Sequence, residues 1–304
     1  METFTGIVKS GVFALIPIGI YSTFVWWVTW KEKQLGWLVG FAVLWGALPA
    51  FAFVALVPFL FMYLGNSPIF HESNQIWLMS IVVPLLEEIL KTLSILSIFA
   101  IYRHKNITPT EGLVYGSLVG LGFSMVEDFW YYLAALQSGG FSSISGVALV
   151  RGLLGGLNHS VYSGIAGAGL GLAFVTPRPW KWLLASSGFV IASFVHCLYN
   201  LTAFIADDIS LGVYSVETRM LAMVVNATIS ALGVCLLLLI AICSWGEIKA
   251  ILKQNVLPFA SQKASREKIA SVIDRPWPPM MPSSRDRVED VVRLAIAQKI
   301  ARYR

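Results

Sequence analysis

The segment IVVPLLEEILKTL, residues 81–93, sets Glu87, Glu88 and Lys91 inside a run of Leu, Ile and Val. Lys91 follows Glu87 by one helical turn, a spacing at which the two charges can meet. Three more segments place a few polar groups in apolar surroundings. LVGLGFSMVEDFWYYL has Phe123, Glu127 and Tyr131 spaced by four on one helical face, with Asp128 alongside. GGLNHSVYSGIAGAGLG has His159 in a stripe of small residues, Gly155, Ser163, Gly167 and Gly171. SFVHCLYNLTA has His196 and Asn200 one turn apart. Two imidazoles and one carboxylate, His159, His196 and Glu127, suit zinc with a fourth position left for water. Such a water is acidified by the metal, and Glu87 or Glu88 could take its proton and hand it to a leaving amine. The same groups could also work without metal, a Glu and a His activating water directly while Asn200 or a His donates to an oxyanion. Both routes hydrolyse an amide, and the residues alone leave the choice open.

What surrounds these segments decides their cost. The chain has 304 residues, 57% hydrophobic and 13% charged, with mean hydropathy +0.71, whereas soluble domains carry about 25% charged residues. An all-α polytopic membrane bundle is the expected fold class. About seven runs approach the roughly 20 residues that cross a bilayer core as helix, at 11–30, 36–64, 77–101, 112–135, 152–175, 183–206 and 220–245. No cleavable leader pattern opens the chain, so the first run is expected to act as an anchor. Cys197, Cys235 and Cys243 fall inside the runs without ligand spacing and read as core residues.

Basic residues stay on the cytoplasmic side of a membrane. Lys31, Lys33, Arg103, Lys105, Arg178 and Lys181 follow the odd-numbered runs, while the opposite connections hold only Arg151 and Arg219, at span edges. The N-terminus is therefore expected outside and the C-terminus in the cytoplasm. The net charge of +5 reflects this orientation and gives no support to nucleic-acid binding. Residues 1–245 form the expected membrane domain, with its core motifs in 77–206, and 246–304 a cytoplasmic tail. That tail contains the Pro-rich linker RPWPPMMPSS and a basic amphipathic helix with Val288, Val292, Ile296 and Ile300 on one stripe, suited to the anionic inner leaflet, to a partner or to solvent.

An ionised group in mid-membrane costs at least about 2.5–3.5 kcal/mol on an isolated helix, so such groups face a protein interior or water. At about 1.5 Å of rise per residue, Glu87 and Glu88 fall roughly 15 Å below the outer end of their run, Glu127 roughly 12 Å, His159 roughly 11 Å and His196 roughly 15 Å. One polar layer in the outer half of the membrane is expected.

The ordered motifs, EExxK at Glu87, Glu88 and Lys91, FxxxExxxY at Phe123, Glu127 and Tyr131, His159 in a Gly/Ser-rich span, and HxxxN at His196 and Asn200, resemble the PrsW family of intramembrane proteases. That family is related to the type II CAAX prenyl endopeptidases. The prenyl branch has Arg four residues after the second Glu and FxxxH; Lys three after and FxxxE place the resemblance on the PrsW side. The HExxH of many soluble zinc proteases is absent. The resemblance implies intramembrane proteolysis of a membrane-anchored protein near its extracytoplasmic side, which in bacterial relatives is the first cut of an anti-sigma factor. It also implies a bacterial cell membrane and a metalloprotease, with zinc as the expected metal.

The expected roles are Glu87 as general base, Glu88 in support and Lys91 fixing the pair. Glu127, His159 and His196 bind zinc or polarise water and carbonyl; Asn200 and Tyr131 assist. The partners expected are the lipid bilayer and the membrane-anchored substrate, with oligomeric state unassigned. An ion- or proton-coupled transporter would use similar intramembrane groups, usually with repeated halves, and no repeat is detectable here. A membrane adaptor recruiting partners through its tail would leave the polar layer unexplained.

Overall fold

The computed structural model describes residues 2–29, 36–64, 75–101, 107–148, 151–152, 155–206 and 214–251, together with 253, 267, 269–271 and 274. The Pro-rich linker and the amphipathic segment of the tail lie outside the described residues. Helix α1 is Glu2–Val28 and α2 is Gly36–Leu64. A short α3, Gln75–Trp77, leads through a π-helical turn, Leu78–Val82, into α4, Val83–Ile101. Then follow α5, Pro109–Val147, α6, Asn158–Val175, α7, Arg178–Ala206, and α8, Val216–Ile251. No strand occurs among the described residues.

Each expected run is met by one long helix. The largest departure concerns the Ser/Gly-rich stretch near 138–146, read from sequence as an outer connection: α5 continues helically through it to Val147. Each Gly costs a helix only about 1 kcal/mol relative to Ala, less than breaking the backbone ladder in an apolar medium.

Among the described residues, four helices, against the seven spans expected, are long and apolar enough by composition to cross a membrane: Phe4–Val28, Trp37–Leu56, Pro179–Ala206 and Val216–Gly246. Their large apolar side chains point outward, including Leu44, Phe51, Leu183, Phe194, Leu221 and Val224. Helices α4, α5 and α6 contain the polar motifs and bury them: Glu87, Glu88, Lys91, Asp128, His159 and His196 of α7 are all under a tenth exposed. Apolar surface outside and charge inside is the arrangement a bilayer imposes.

The inner packing rests on small residues. Helix α5 starts with a capping box in which the Thr108 amide donates to the Glu111 carboxylate at 2.8 Å and the Glu111 amide to the Thr108 hydroxyl at 3.2 Å, with Pro109 at the first helical position. From there Gly112, Gly116 and Gly120 face Gly167, Ser163 and His159 of α6 so closely that a Cβ on any of the three would strike the opposing backbone carbonyl. The small-residue stripe read on α6 thus faces a second stripe on α5, and their antiparallel register brings the His159 backbone against Gly120, one turn from Phe123. Gly46 and Gly122 permit a similar approach of α2 to α5, and Gly169 and Gly188 of α6 to α7.

The described residues group into two compact units, one of 1–24 with 35–237, the other of 25–34 with 238–304. Every polar motif lies in the first.

Because the obstacle at Gly120 is backbone, Gly120→Ala should destabilise the protein by more than the usual 1–3 kcal/mol of an overpacked side chain. At Gly19 an added Cβ would meet nothing within 4 Å, so Ala there should be tolerated, with a stability change of up to about 1 kcal/mol in its favour. Thermal unfolding of both variants in detergent checks the contrast.

Candidate active site

The site begins with a broken helical register. In the π-helical turn the Val83 amide donates to the Leu78 carbonyl. In that register the Met79 carbonyl would look to residue 84, which is proline and has no N–H. Asn200 supplies the missing donor, its Nδ2 reaching the Met79 carbonyl at 3.3 Å. The Cys197 thiol approaches the Ile81 carbonyl at 3.8 Å. Helix α7 thereby clasps the turn that sets the rotational phase of α4, and Glu87 and Glu88 follow directly.

Lys91 is the centre of the buried cluster. Its Nζ donates to Glu88 Oε1 at 2.7 Å and to His159 Nδ1 at 2.8 Å, and lies 3.8 Å from Glu87 Oε2. Phe123 packs beneath it, with Nζ 4.5 Å from the ring centroid, a cation–π contact. An ammonium has only donors, so Nδ1 of His159 accepts and any proton on that ring is on Nε2.

His196 is held in the complementary sense. Its Nδ1 is 2.8 Å from Glu88 Oε1; an ionised carboxylate only accepts, so Nδ1 is the donor and Nε2 presents a lone pair. That lone pair faces Glu87 Oε2 at 3.7 Å, and this oxygen has no hydrogen-bond partner among the described residues. Two acceptors at that distance do not bond to each other, so each keeps a lone pair. Tyr162 stacks on the His196 ring, with centroids 4.5 Å apart at 19°.

Toward the rim, His159 Nε2 lies 2.6 Å from Glu127 Oε2. The Arg151 guanidinium spans Glu127 Oε1 at 3.1 Å and Asp128 Oδ1 at 3.2 Å, and its Cζ stands 3.6 Å over the Tyr131 ring. Ser124 Oγ donates to Asp128 Oδ2 at 3.3 Å. The Glu127 and Arg151 side chains are 19% and 25% exposed, while Glu88 and Lys91 are fully enclosed, so the rim is the more open end.

Glu87, Glu88, Lys91, Glu127, His159 and His196 are therefore joined in one cluster, with Asn200 at its edge engaged by Met79. Arg151, read from sequence as a span-edge charge, belongs to the cluster. Its signal in the sequence was its isolation as a basic residue among outward-side connections, which spacing alone could not tie to Glu127.

The donors that could jointly hold a metal are Glu87, His159 and His196, whose ligand atoms all lie within 4.8 Å of one another. The sequence reading had the same histidines with Glu127, whose Oε2 lies against His159 Nε2 and whose Oε1 lies against Arg151. The donor types are those of zinc: Glu88 on Nδ1 of His196 is the outer-shell arrangement that leaves Nε2 free for a metal, and His159 would ligate by giving up its Lys91 contact at Nδ1 or its Glu127 contact at Nε2. Opposed ligand atoms on tetrahedral zinc stand about 3.3 Å apart, near the Glu87 to His196 separation. Charge agrees too. Fully ionised, Glu87, Glu88, Glu127 and Asp128 exceed Lys91 and Arg151 by two negative charges, which one divalent cation or two protons would balance.

Ionisable groups from four helices, enclosed by apolar helices and converging on one buried cluster, define a hydrolase-like site within a membrane bundle. The chain belongs to the family described as PrsW family intramembrane metalloprotease, which it matches over residues 34–232, and it is an integral membrane protein. It is similar to Protease PrsW of Geobacillus kaustophilus (strain HTA426), 32% identical over 119 residues, which is 38% of this chain and 47% of that protein. The matched region thus spans about half the length of that relative. No solved structure matches the chain.

If Asn200 serves the carbonyl that Pro84 leaves unpaired, the two positions are coupled. Asn200→Ala should cost about 0.5–1.5 kcal/mol in the wild-type background, and markedly less once Pro84→Ala restores an N–H at residue 84. A double-mutant cycle on unfolding in detergent measures that difference.

Proposed function

We propose that this protein is an intramembrane endopeptidase that hydrolyses peptide bonds of membrane-anchored proteins near their extracytoplasmic side. The observation that supports it best is the pair of acceptors, Glu87 Oε2 and His196 Nε2, separated by 3.7 Å inside the cluster. A water between them would donate one proton to each acceptor, leaving an oxygen lone pair for the scissile carbonyl carbon. Glu87 takes a proton as the oxygen attacks, forming the tetrahedral adduct. It returns that proton to the amide nitrogen as the C–N bond breaks, leaving a new carboxyl group and a free amine. Glu88 holds His196 in the tautomer this requires, and Lys91 holds Glu88 and His159. Glu127, braced by Arg151, orients His159.

Zinc is the proposed metal, with Glu87, His159 and His196 as the residues that would hold it. When bound, it would take up the Glu87 and His196 lone pairs that otherwise receive the water protons, and would itself acidify water and polarise the carbonyl, in place of the metal-free route above. Asn200 is proposed as a positioning residue through Met79, and Tyr131 as the platform under Arg151. The proposed orientation has the N-terminus outside and the C-terminal segment in the cytoplasm, with a membrane-anchored anti-sigma factor as the proposed substrate class. The segment beyond residue 245 is proposed as accessory to the proteolytic core.

Cleavage of a membrane-anchored reporter in proteoliposomes tests the reading. Glu87→Gln should lower turnover by about 10²–10⁴-fold, the range of a lost general base, with His196→Ala comparably impaired. Wild-type activity in either variant contradicts these roles, and Glu87-dependent ion flux without cleavage would indicate a transporter.

Metal analysis supplies a separate check. Purified protein should contain stoichiometric zinc, and His196→Ala should lose most of it; metal-free protein that cleaves at the full rate would remove zinc from the proposal.

A further inference from the structure

Tyr162 has no assigned role in the chemistry above, yet it is completely buried among the groups that perform it. Its ring lies nearly parallel to His196, edge-on to His159 at 5.8 Å and 70°, and 5.9 Å from Lys91 Nζ. Its hydroxyl is buried and has no hydrogen-bond partner among the described residues. Leaving such a donor unpaired is destabilising, a penalty that Phe at this position would avoid while keeping the stacking. The buried serines Ser160 and Ser163 on the same helix have short hydroxyls that can turn to a carbonyl of their own backbone. A hydroxyl at the far end of a rigid ring cannot. A cost that packing does not require is accounted for if the hydroxyl gains a partner during turnover.

We propose that Tyr162 is a further catalytic residue, its phenol O–H donating a hydrogen bond to the oxyanion that develops on the scissile carbonyl. This rests on the peptidase reading and extends it. The donor complements its surroundings. Glu87 Oε2 and His196 Nε2 are both acceptors and serve the attacking water, whereas the oxyanion needs a donor. Asn200, the donor the sequence offered for that task, points one N–H at the Met79 carbonyl. Glu87 and His196 are 4% and 2% exposed, and the Tyr162 ring packs directly on the His196 imidazole. Tyr162 follows His159 by three residues and therefore shares its helical face.

The test is Tyr162→Phe, which removes one oxygen and retains the stacked ring. Cleavage of the membrane-anchored reporter should fall about 10²–10³-fold in kcat, as for the loss of an oxyanion donor. KM should hold, and the unfolding temperature should stay the same or rise because an unpaired donor has gone. Activity within twofold of wild type overturns the proposal, as does a parallel fall in unfolding temperature and activity, the mark of a structural hydroxyl. Wild-type protein that cleaves no reporter overturns the peptidase reading itself, a result distinct from cleavage by both wild type and Tyr162→Phe.

Discussion

A buried ammonium governs this structure. Lys91 is fully enclosed in a bundle whose outer faces are apolar, and it cannot remain charged there without acceptors. It finds Glu88 and the His159 ring at hydrogen-bond distance, Glu87 slightly farther, and the face of Phe123 below. Each contact comes with consequences. Holding Glu88 orients His196, holding His159 by Nδ1 turns its other nitrogen to Glu127, and the pull on Glu87 keeps that carboxylate beside His196. Removing one member of such a network leaves buried charge uncompensated, typically worth several kcal/mol.

The helices that deliver these groups are built for proximity. Long polar side chains reach each other only if their backbones are close, and the glycines of α5 against the small residues of α6 provide that closeness. The π-helical turn before α4 serves the same end by another route. It alters the rotational phase of the helix just ahead of Glu87 and Glu88, and the carbonyl it exposes is taken by a side chain of α7. The helix that bears His196 thus also holds the turn that aims the carboxylates at it.

The cluster grades from enclosed to exposed. Glu88 and Lys91 are sealed, and Glu127 and Arg151 are partly exposed. Arg151 offsets the carboxylates of Glu127 and Asp128 at that exposed end.

The sequence by itself determined that this chain is helical, apolar outside and polar at one depth. Those properties follow from run length, rise per residue and the cost of charge in hydrocarbon, all of which are local or additive along a helix. It also identified the residues of the cluster except Arg151 and Tyr162. Tertiary structure decided who meets whom: that Glu87 lies beside His196 and Glu127 beside His159, that Asn200 donates to a backbone carbonyl, and that Arg151 reaches Glu127. Helical periodicity specifies the depth and face of a side chain, but not the register of its helix against a neighbour. That register depends on where glycines permit contact and where a π turn shifts the phase, and both take effect only when the helices pack.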